Sequence, residues 1–594
     1  MRVADYIMQR LVCAGVRHVF QVTGRGALFL NDAVAKHADL TPVSLHHEQA
    51  CAFAAIGYAE QTESIGVCLV STGCAATNTL TGVLSAWQDA VPCIFISGQH
   101  ILRETSRFTG IPLRTYGQQE ADIVSLVSPM TKYATMLTAP EDIEEVMEKA
   151  LWHAQTGRKG PVWLDVPLDL QSALMPLGRA VVSPHGFDDR PLPKEEDVQN
   201  VVVALRTAQR PVALIGSGVR AARAHTQLKE FVERWKMPVT YTAAAPDSYG
   251  TAHPLSIGSV GAMGCSRAGN FAVQNADFVL VLGSRLTALT TGPDFDKFAR
   301  AARVAVVDID PVEHSKKSIR IDQLIHSDLG LFLTRLNQME AHSVAASWIS
   351  KCQHWKQLFR LVEPEFSCSH AVDLYELAEC LSEVLPNPST FVTDSGLAEV
   401  ILPTNIRFAD GMKCIHPTSQ GAMGFALPAA IGAQHANAQP VVVVVGDGSI
   451  MMNLQELETI RYQKLPIKII VVNNNGYAII RRRQRELFRH RTIGTDPDNG
   501  VSCTDFSRVA DCFGLQYSRV EHPRQMTSAL TAMLTHDGPV LCEVMGRVDQ
   551  GYIELGQTRS ARDHRFIRRP LEDQEPYLSR DLFLNEMVVS PIDQ

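Results

Sequence analysis

A glycine–aspartate–glycine triplet and a pair of asparagines, each directly after an apolar run, are the residues of this chain best suited to chemistry. The run VVVVV leads into Gly446, Asp447 and Gly448, and the run IKIIVV leads into Asn473 and Asn474. Carboxyl ends of parallel strands meet at one edge of a sheet, so the oxygens of Asp447 and Asn474 can face one hard cation there. The glycines let backbone N–H groups approach a diphosphate. The pattern predicts a Mg²⁺–diphosphate site.

The elements that position these residues belong to a multidomain α/β protein. The chain has 594 residues, well beyond one hydrophobic core. Three segments alternate short β-branched strands with helical patterns, which indicates three doubly wound, parallel-sheet α/β domains. We expect these domains at 1–175, 190–342 and 370–550, followed by a C-terminal tail at 551–594. The Pro-rich stretch 176–197 reads as a linker.

Composition narrows the class of protein. Hydrophobic residues make up 45% and charged residues 20%, and the net charge is -8. These values are typical of a soluble globular protein and argue against nucleic acid as the main partner. The first twenty residues do not read as a signal peptide, and no apolar stretch reaches the ~18 residues of a membrane span. The thirteen cysteines form no CxxC pair, so we expect reduced thiols in a cytoplasmic protein.

The tail is rich in charge and lacks the rhythm of strands. We expect it to lie over the third domain, although its composition fits a disordered tail equally well. Its candidate apolar anchors are Phe566, Leu571, Tyr577, Leu582 and Phe583.

Glu48 is the second candidate for chemistry. It opens a predicted helix in the segment TPVSLHHEQACAFAAIGYAEQ. A carboxylate in a first turn can simply complement the helix dipole. The segment nevertheless resembles the HEQ and AAxGYA glutamate motif of thiamin diphosphate enzymes of the acetohydroxyacid synthase superfamily. The GDG to NN stretch resembles the metal signature of the same superfamily, and the resemblance extends from residue 1 to about 550.

This resemblance implies pyrimidine-binding, middle FAD-binding and diphosphate-binding domains. It implies Asp447, Asn474 and Gly476 as Mg²⁺ ligands and Glu48 as the residue that hydrogen-bonds the cofactor's pyrimidine ring. In the superfamily these two parts come from different subunits, so we expect a homodimer or a tetramer. Contacts to thiamin diphosphate are further implied for Ser395, Gly396, Met423, Gly446, Gly448, Ser449 and Ile479. Without that context, Met423 would pass for an ordinary core residue.

Two more motifs in the first domain resemble motifs of the superfamily but differ from them in some residues. Gln119, in GQQE, matches the active-site glutamine that usually follows a phenylalanine, a position that Gln118 takes here. Lys132, in MTKY, matches the lysine of ITKH. The resemblance implies that Gln119 is catalytic and that Lys132 contacts substrate.

Three strand ends in the second segment could hold a dinucleotide. They are GSG after VALI, GSRLTALTTG after FVLVL, and DIDP after VAVV. Each is weak alone, but together they resemble the FAD-binding middle domain of acetohydroxyacid synthase; the alternative is a vestigial domain that binds nothing. The implied flavin contacts are Gly216, Gly218, Arg285, Asp308, Ile309, Asp310 and Asp328.

Departures from acetohydroxyacid synthase concern the acceptor substrate. Leu289 occupies the position of an arginine that fixes the acceptor's carboxylate, and loss of such a partner costs on the order of 2 to 5 kcal/mol. Arg483 occupies the position of a tryptophan that favours 2-ketobutyrate. The basic run 481–485 is either a solvated face or an entrance that suits an anionic acceptor.

With these departures the chain resembles the YerE-type carboligases, which transfer an acetyl unit from pyruvate to a ketone or keto-sugar nucleotide. We therefore expect this activity, which forms a tertiary alcohol or branched-chain sugar. The alternatives are an acetolactate synthase, with a second pyruvate as acceptor, and a pyruvate oxidase. A scaffold without activity fits least, because Glu48, Asp447 and Asn474 are all present.

Overall fold

The computed structural model describes residues 1–175, 189–359, 363, 365–366, 368–559 and 565–592. Residues 176–188, most of the predicted linker, lie outside the described residues. The described chain forms three six-stranded parallel sheets and two small antiparallel pairs. The prediction of three α/β domains with parallel sheets is confirmed.

The first domain is a parallel sheet with helices on both faces. Its strands are β1 His18–Gln21, β2 Thr41–Ser44, β3 Gly66–Val70, β4 Cys93–Gln99, β5 Tyr133–Met136 and β6 Val162–Pro167. Its helices are α1 Val3–Cys13, α2 Leu28–Lys36, α3 Glu48–Thr62, α4 Cys74–Asn78, α5 Leu80–Asp89, α6 Ser106–Thr109, α7 Ile123–Val127, α8 Ile143–Gln155 and α9 Leu168–Ser172. The strand order is β2-β1-β3-β4-β6-β5. Side chains alternate along β3, so Val67 and Leu69 enter one core while Cys68 and Val70 enter the other.

The middle domain has the strand order typical of dinucleotide-binding folds. Its strands are β7 Pro211–Ile215, β8 Val239–Tyr241, β9 Ser256–Ser259, β10 Phe278–Leu282, β11 Arg303–Asp308 and β12 Gln323–His326. Its helices are α10 Glu195–Thr207, α11 Gly218–Ala221, α12 His225–Trp235, α13 Arg267–Gln274, α14 Ala288–Thr291, α15 Leu329–Asn337 and α16 Ala346–Leu358. The order β9-β8-β7-β10-β11-β12 reverses direction between β7 and β10. At such a switch point the loops diverge and leave a crevice for a ligand.

The third domain repeats the strand order of the first. Its strands are β13 Thr390–Val392, β14 Lys413–Ile415, β15 Val441–Gly446, β16 Lys468–Asn473, β17 Gln516–Val520 and β18 Val540–Met545. Its helices are α17 Leu374–Val384, α18 Gly396–Asn405, α19 Ala426–Ala436, α20 Glu456–Tyr462, α21 Ala478–Leu487, α22 Phe506–Cys512 and α23 Met526–Thr535. The order β14-β13-β15-β16-β18-β17 has its switch point between β13 and β15. The GDG triplet follows β15, so it opens onto that crevice.

Helices α3 and α19 join the first domain to the third through one continuous hydrophobic core. Two glycines allow the backbones to touch. A Cβ atom on Gly57 would lie 2.1 Å from the carbonyl oxygen of Ala429, and one on Gly432 would lie 1.9 Å from that of Ala54. Any side chain at either glycine would push the helices apart.

The first residues of the tail, 552–554, contact the third domain, whereas from Leu571 onward the tail packs against the middle domain. The expectation that it lies over the third domain is therefore wrong for most of its described length. Its elements are β19 Glu554–Leu555, β20 Gln557–Arg559, β21 Phe566–Arg568, β22 Gln574–Glu575 and α24 Arg580–Glu586. Leu571 and Phe583 join the middle-domain core, where Phe583 contacts Phe271 of α13. Glu572 is a buried residue of the tail, and its carboxylate accepts hydrogen bonds from Gln274 and Arg300. Gln274 in α13 and Arg300 further along the chain supply the donors that a buried carboxylate needs. Their position explains why this part of the tail packs on the middle domain.

Candidate active site

The ends of β15 and β16 bring the predicted metal ligands together. The two strands pair with Gly446 opposite Val472, and the backbone N–H of Asp447 donates to the Val472 carbonyl at 3.0 Å. The carboxylate of Asp447 accepts from the Gly476 amide at 3.0 Å. Asp447 and Gly476 are therefore in contact at the carboxyl edge of the third sheet, and Asn474 lies two residues before Gly476 in the same loop.

The chemistry of these oxygens fits a magnesium ion. The side-chain oxygen of Asn474 is buried and has no hydrogen-bond partner, a state that a cation would relieve. Burial raises the pKa of Asp447, which a nearby cation would oppose. Among the described residues, His, Cys, Asp and Glu side chains do not gather in threes to hold a metal. Mg²⁺ commonly binds with one or two carboxylates and completes its coordination with phosphate oxygens and water.

Asp394 is a residue of this site that the sequence analysis missed. It is fully buried at the end of the loop that follows β13, on the other side of the switch point. One carboxylate oxygen accepts from the Ser449 hydroxyl at 2.6 Å and from the Gly424 amide at 3.2 Å; the other has no partner. Asp394 thus links the loops that carry Ser395, Met423 and the GDG triplet. An aspartate two residues after the apolar strand TFV was the available signal.

Glycine is required at positions 448 and 476 because the space beside each is filled. A Cβ atom on Gly448 would lie 2.3 Å from the ring of Tyr477, and one on Gly476 would lie 2.0 Å from the carbonyl oxygen of Thr495. Gly446 has open space around its Cα hydrogens. Backbone groups here are approachable from the crevice, as a diphosphate site needs. Ile479, in the first turn of α21, packs against the third-domain core.

Glu48 begins α3, and its carboxylate is half-buried. It accepts one hydrogen bond, from Asn78 at the end of α4, at 2.9 Å. His47 caps the helix, since its side chain accepts from the Gln49 amide. Glu48 therefore keeps acceptor capacity for a ligand.

Gln119 lies on the same side of the first domain, at the other end of α4. Its side chain is exposed, and its backbone has a φ of 62°, in the left-handed region. Its carbonyl oxygen would lie 2.1 Å from a Cβ atom on Gly73, the residue before α4. The structure thus places Gln119 and Glu48 at opposite ends of one short helix.

Within the chain, the helix of Glu48 is linked to the loop of Met423. The side-chain amide of Asn453 donates to Gln49 at 3.2 Å and to the Gly424 carbonyl at 2.8 Å. The first turn of α3 and the half-buried Met423 therefore lie on either side of Asn453.

A cavity of about 960 Å³ opens at the switch point of the middle domain and reaches residues of the other two domains. A Cβ atom on Gly218 would lie 2.6 Å from the Cα of Gly283, so neither βα turn tolerates a side chain. This size and position suit a dinucleotide. Six of the seven predicted flavin contacts line the cavity: Gly216, Gly218, Arg285, Asp308, Ile309 and Asp328.

Asp310 is the exception, since it does not line the cavity. Its carboxylate pairs with Arg158 at 3.2 Å, and Arg158, from the first domain, does line it. Arg285 donates to the hydroxyl of Ser419, which in turn donates to Asp89. Arg285 therefore connects the middle domain to the other two, an arrangement that strand patterns could not reveal.

The three predicted substrate residues have different surroundings. Leu289 lines the cavity and is 42% exposed. Lys132 does not line the cavity; its amine donates to the carbonyl of Thr156, which does, and burial lowers the pKa of Lys132 to about 8. Arg483 donates to the carboxylate of Glu554 in the tail and to the hydroxyl of Tyr552.

The basic run 481–485 is neither a uniformly solvated face nor a row of free cations. Arg482 and Arg483 share the carboxylate of Glu554, which is 5% exposed. Arg481 is buried, whereas Arg485 is exposed. The pairing partner follows the run by some seventy residues, so the sequence pattern could not predict it.

Sequence models of thiamine pyrophosphate enzymes match each domain. The N-terminal TPP binding domain matches residues 1–126, the central domain 198–336 and the C-terminal TPP binding domain 394–544. The fold and the site therefore define a thiamin diphosphate enzyme.

Curated relatives specify the family. The acetolactate synthase isozyme 2 large subunit of Escherichia coli is 32% identical over 92% of this chain and 95% of its own length. The acetolactate synthase large subunits of Parasynechococcus marenigrum and Cyanidium caldarium are each 31% identical, over 91% and 90% of this chain and 87% and 92% of their own lengths. This chain belongs to the acetolactate synthase, or acetohydroxyacid synthase, family of thiamin diphosphate enzymes.

Membership makes the protein a thiamin diphosphate-dependent transferase of the carboligase type, in a family that uses thiamin diphosphate, Mg²⁺ and FAD. The orphaned oxygen of Asn474 and the glycine-lined cavity fit these groups. Among the described residues, no helix is both long and apolar enough to cross a membrane.

Proposed function

We propose that this enzyme decarboxylates pyruvate and joins the remaining two-carbon unit to a second carbonyl compound. The observation that carries the proposal is the pair of Asp447 and Asn474, whose buried oxygens suit Mg²⁺ at a diphosphate site. Bound thiamin diphosphate would supply the nucleophilic carbon and the electron sink for decarboxylation. Asp447, Asn474 and the carbonyl of Gly476 would hold the metal, and Ser395, Gly396, Gly446, Gly448 and Ser449 would form the diphosphate cradle.

Glu48 would act on the pyrimidine end of the cofactor. Its carboxylate accepts one hydrogen bond, from Asn78, and so can accept another from a protonated ring nitrogen. Met423 and Ile479 would hold the cofactor's conformation from the third domain. Gln119, exposed at the far end of α4, would orient donor or acceptor oxygens by hydrogen bonding.

A second pyruvate is the first candidate for the acceptor, which would make the product acetolactate. This reading follows the names of the relatives, which match over nine-tenths of the chain. Flavin would bind along Gly216, Gly218, Arg285, Asp308, Ile309 and Asp328, with Asp310 acting through Arg158.

A neutral ketone or a keto-sugar nucleotide is the second candidate, because Leu289 offers the acceptor's carboxylate no hydrogen bond. The paired state of Arg482 and Arg483 argues against these two side chains as a site for phosphates. A simple ketone therefore has more support from the geometry than a sugar nucleotide.

We further propose that the active unit is a homodimer, with Glu48 of one subunit serving the metal site of the other. Exposed apolar side chains flank both halves of the site. Phe108 lies in α6 and Ile111 and Tyr116 lie in the loop between α6 and Gln119, while Met451 and Met452 follow the GDG triplet. Such patches mark protein interfaces.

One experiment separates these readings. The cofactor-loaded protein is incubated with labelled pyruvate and a panel of 2-keto acids, ketones and keto-sugar nucleotides, and the labelled product is identified. Acetolactate as the main product supports the first candidate, and a labelled tertiary alcohol supports the second. Rapid bleaching of the flavin by pyruvate alone would instead favour a pyruvate oxidase.

The role of Glu48 has its own test. The substitution Glu48→Gln removes the carboxylate but keeps the size of the side chain, so we expect carbon dioxide release from pyruvate to be abolished. Retention of release at the wild-type rate would contradict the proposed function.

A further inference from the structure

The metal loop 473–476 is fastened by an arginine that the proposed function does not use. Arg481 is 2% exposed. Its guanidinium donates to the carbonyl oxygens of Asn474 and Asn475, each at 3.1 Å, and to that of Val548 at 2.5 Å. The nearest carboxylate in contact range, Asp496, is 3.9 Å away. A buried cation is thus used mainly to bind backbone carbonyl groups.

The loop needs such fastening because its backbone is neither helix nor strand and so lacks their regular hydrogen bonds. Asn475 has a φ of 60° and Gly476 a φ of 126°, left-handed conformations that asparagine and glycine adopt more readily than other residues. The amides on one side are held by side chains: Asn473 accepts from Asn475, and Asp447 accepts from Gly476. Arg481 supplies the donors for the carbonyl groups of residues 474 and 475.

Position 481 suits this task for a geometric reason. It lies in the first turn of α21, and side chains of a helix lean toward its N-terminus, here toward the loop. The planar guanidinium presents five N–H groups in a fixed fork, so it can serve three oxygens at once.

The next two residues hold the helix itself in place. Arg482 and Arg483 both donate to Glu554, and Arg482 lies over the ring of Tyr552 at 4.7 Å. Glu554 belongs to β19, which pairs with β22 of the tail. Helix α21 is therefore anchored on its outer side while Arg481 reaches inward.

We infer that Arg481 is a positioning residue for the metal site: by binding the carbonyl groups of the metal loop, it holds Asn474 and Gly476 in the conformation that coordinates Mg²⁺. The inference rests on the proposed metal role of these residues. It predicts that Arg481 affects metal affinity without touching the metal.

The test is calorimetric titration of Mg²⁺ into metal-free protein saturated with thiamin diphosphate. We expect Arg481→Gln to weaken Mg²⁺ binding about 10- to 100-fold, as is typical when a partner of a metal ligand is lost. Arg481→Lys keeps the charge and some of the donors, so its dissociation constant for Mg²⁺ should lie between those of the wild type and Arg481→Gln. Arg485→Gln, one turn further along α21 and exposed, is the matched control and should bind Mg²⁺ as wild type does. Raising the Mg²⁺ concentration should restore the turnover of Arg481→Lys.

The outcomes are distinct. Wild-type Mg²⁺ affinity in a folded Arg481→Gln protein would overturn the inference, as would an equal loss in Arg485→Gln. If Arg481→Gln does not fold, Arg481→Lys decides the question. The inference is then overturned if Arg481→Lys binds Mg²⁺ with wild-type affinity and its turnover does not respond to added Mg²⁺. Failure of the wild-type protein to bind Mg²⁺ at all would instead refute the proposed function on which the inference rests.

Discussion

Leu289 is the residue at which the chemistry of the acceptor can be changed most directly. It lines the cavity from α14, is 42% exposed, and uses only its backbone carbonyl, which accepts from Ala262. A larger polar side chain can therefore enter the cavity without displacing a packed core residue.

We predict that Leu289→Arg favours 2-keto acids over neutral ketones as acceptors. A guanidinium at this position can bind the acceptor's carboxylate in a bidentate manner, a contact worth on the order of 2 kcal/mol or more, or about thirtyfold in kcat/KM. Competition between a keto acid and a ketone of similar size measures the ratio of products. Leu289→Gln, of similar polarity but uncharged, is the control, and an equal shift in both variants would contradict the argument.

At the scale of residues, the sequence predicts metal ligands that directly follow strands. It does not predict contacts between residues that are far apart in the chain. Asp447 and Asn474 were predictable because each directly follows an apolar run. The pairing of Arg483 with Glu554 was not, because the two are far apart in sequence and belong to different elements. Asp394 follows a strand of three residues, too short for its pattern to stand out.

At the scale of elements, the contact between α3 and α19 depends on backbone atoms. A methyl group on Gly57 would meet the carbonyl oxygen of Ala429 and not a side chain. Trimming a partner side chain cannot make room for it.

We predict that Gly57→Ala lowers the free energy of unfolding by about 1 to 3 kcal/mol, the usual cost of overpacking. The second substitution Ala429→Gly should not restore stability in Gly57→Ala, because the clash is with the backbone. Thermal unfolding of the single and double variants measures both effects. Full recovery in the double variant would show that the contact involves side chains.

Strand β6 carries a buried acid, hydrogen-bonded to β4, that makes the stability of the protein depend on pH. Asp165 is 1% exposed and accepts from Ser97 at 2.6 Å and Gln99 at 3.0 Å. Burial raises the pKa of Asp165 to about 7. The folded state therefore keeps a proton that the unfolded chain releases near pH 4. The contribution of Asp165 to the free energy of unfolding is fully present below about pH 4. It falls by up to about 1.4 kcal/mol per pH unit as the pH rises to about 7.

We predict that Asp165→Asn removes this fall, since an amide does not titrate. The melting temperature of the variant minus that of wild type should then rise between pH 5 and pH 8. The difference cancels the pH dependence of all other groups, so only Asp165 contributes. A difference that stays constant across this range would contradict the assignment.

At the scale of the whole molecule, the tail is part of the core of the middle domain. Phe583 is 4% exposed and packs against Phe271, whereas its neighbour Leu584 is 56% exposed. A few apolar anchors in a charge-rich segment predicted a tail that could dock, but the domain that receives it is decided by buried donors such as Gln274 and Arg300. Those donors have no sequence signature.

We predict that Phe583→Ala destabilises the protein by about 3 to 5 kcal/mol, the usual cost of removing a buried aromatic ring. Leu584→Ala, one residue along the same helix, should change stability by less than about 0.5 kcal/mol. The midpoint of denaturant unfolding distinguishes the two. Equal effects would mean that α24 does not dock through Phe583.

The union of α3 with α19 has a consequence for how the protein is made. Residues 50 to 59 of α3 are all buried, largely against a helix that is translated some 370 residues later. At 5 to 20 residues per second, synthesis leaves this apolar helix without its partner for roughly 20 to 75 seconds. The nascent first domain therefore exposes this apolar surface until α19 is made, and chaperones must shield it during that time. Expressed alone, residues 1–175 should aggregate, and co-expression of residues 370–550 should rescue them.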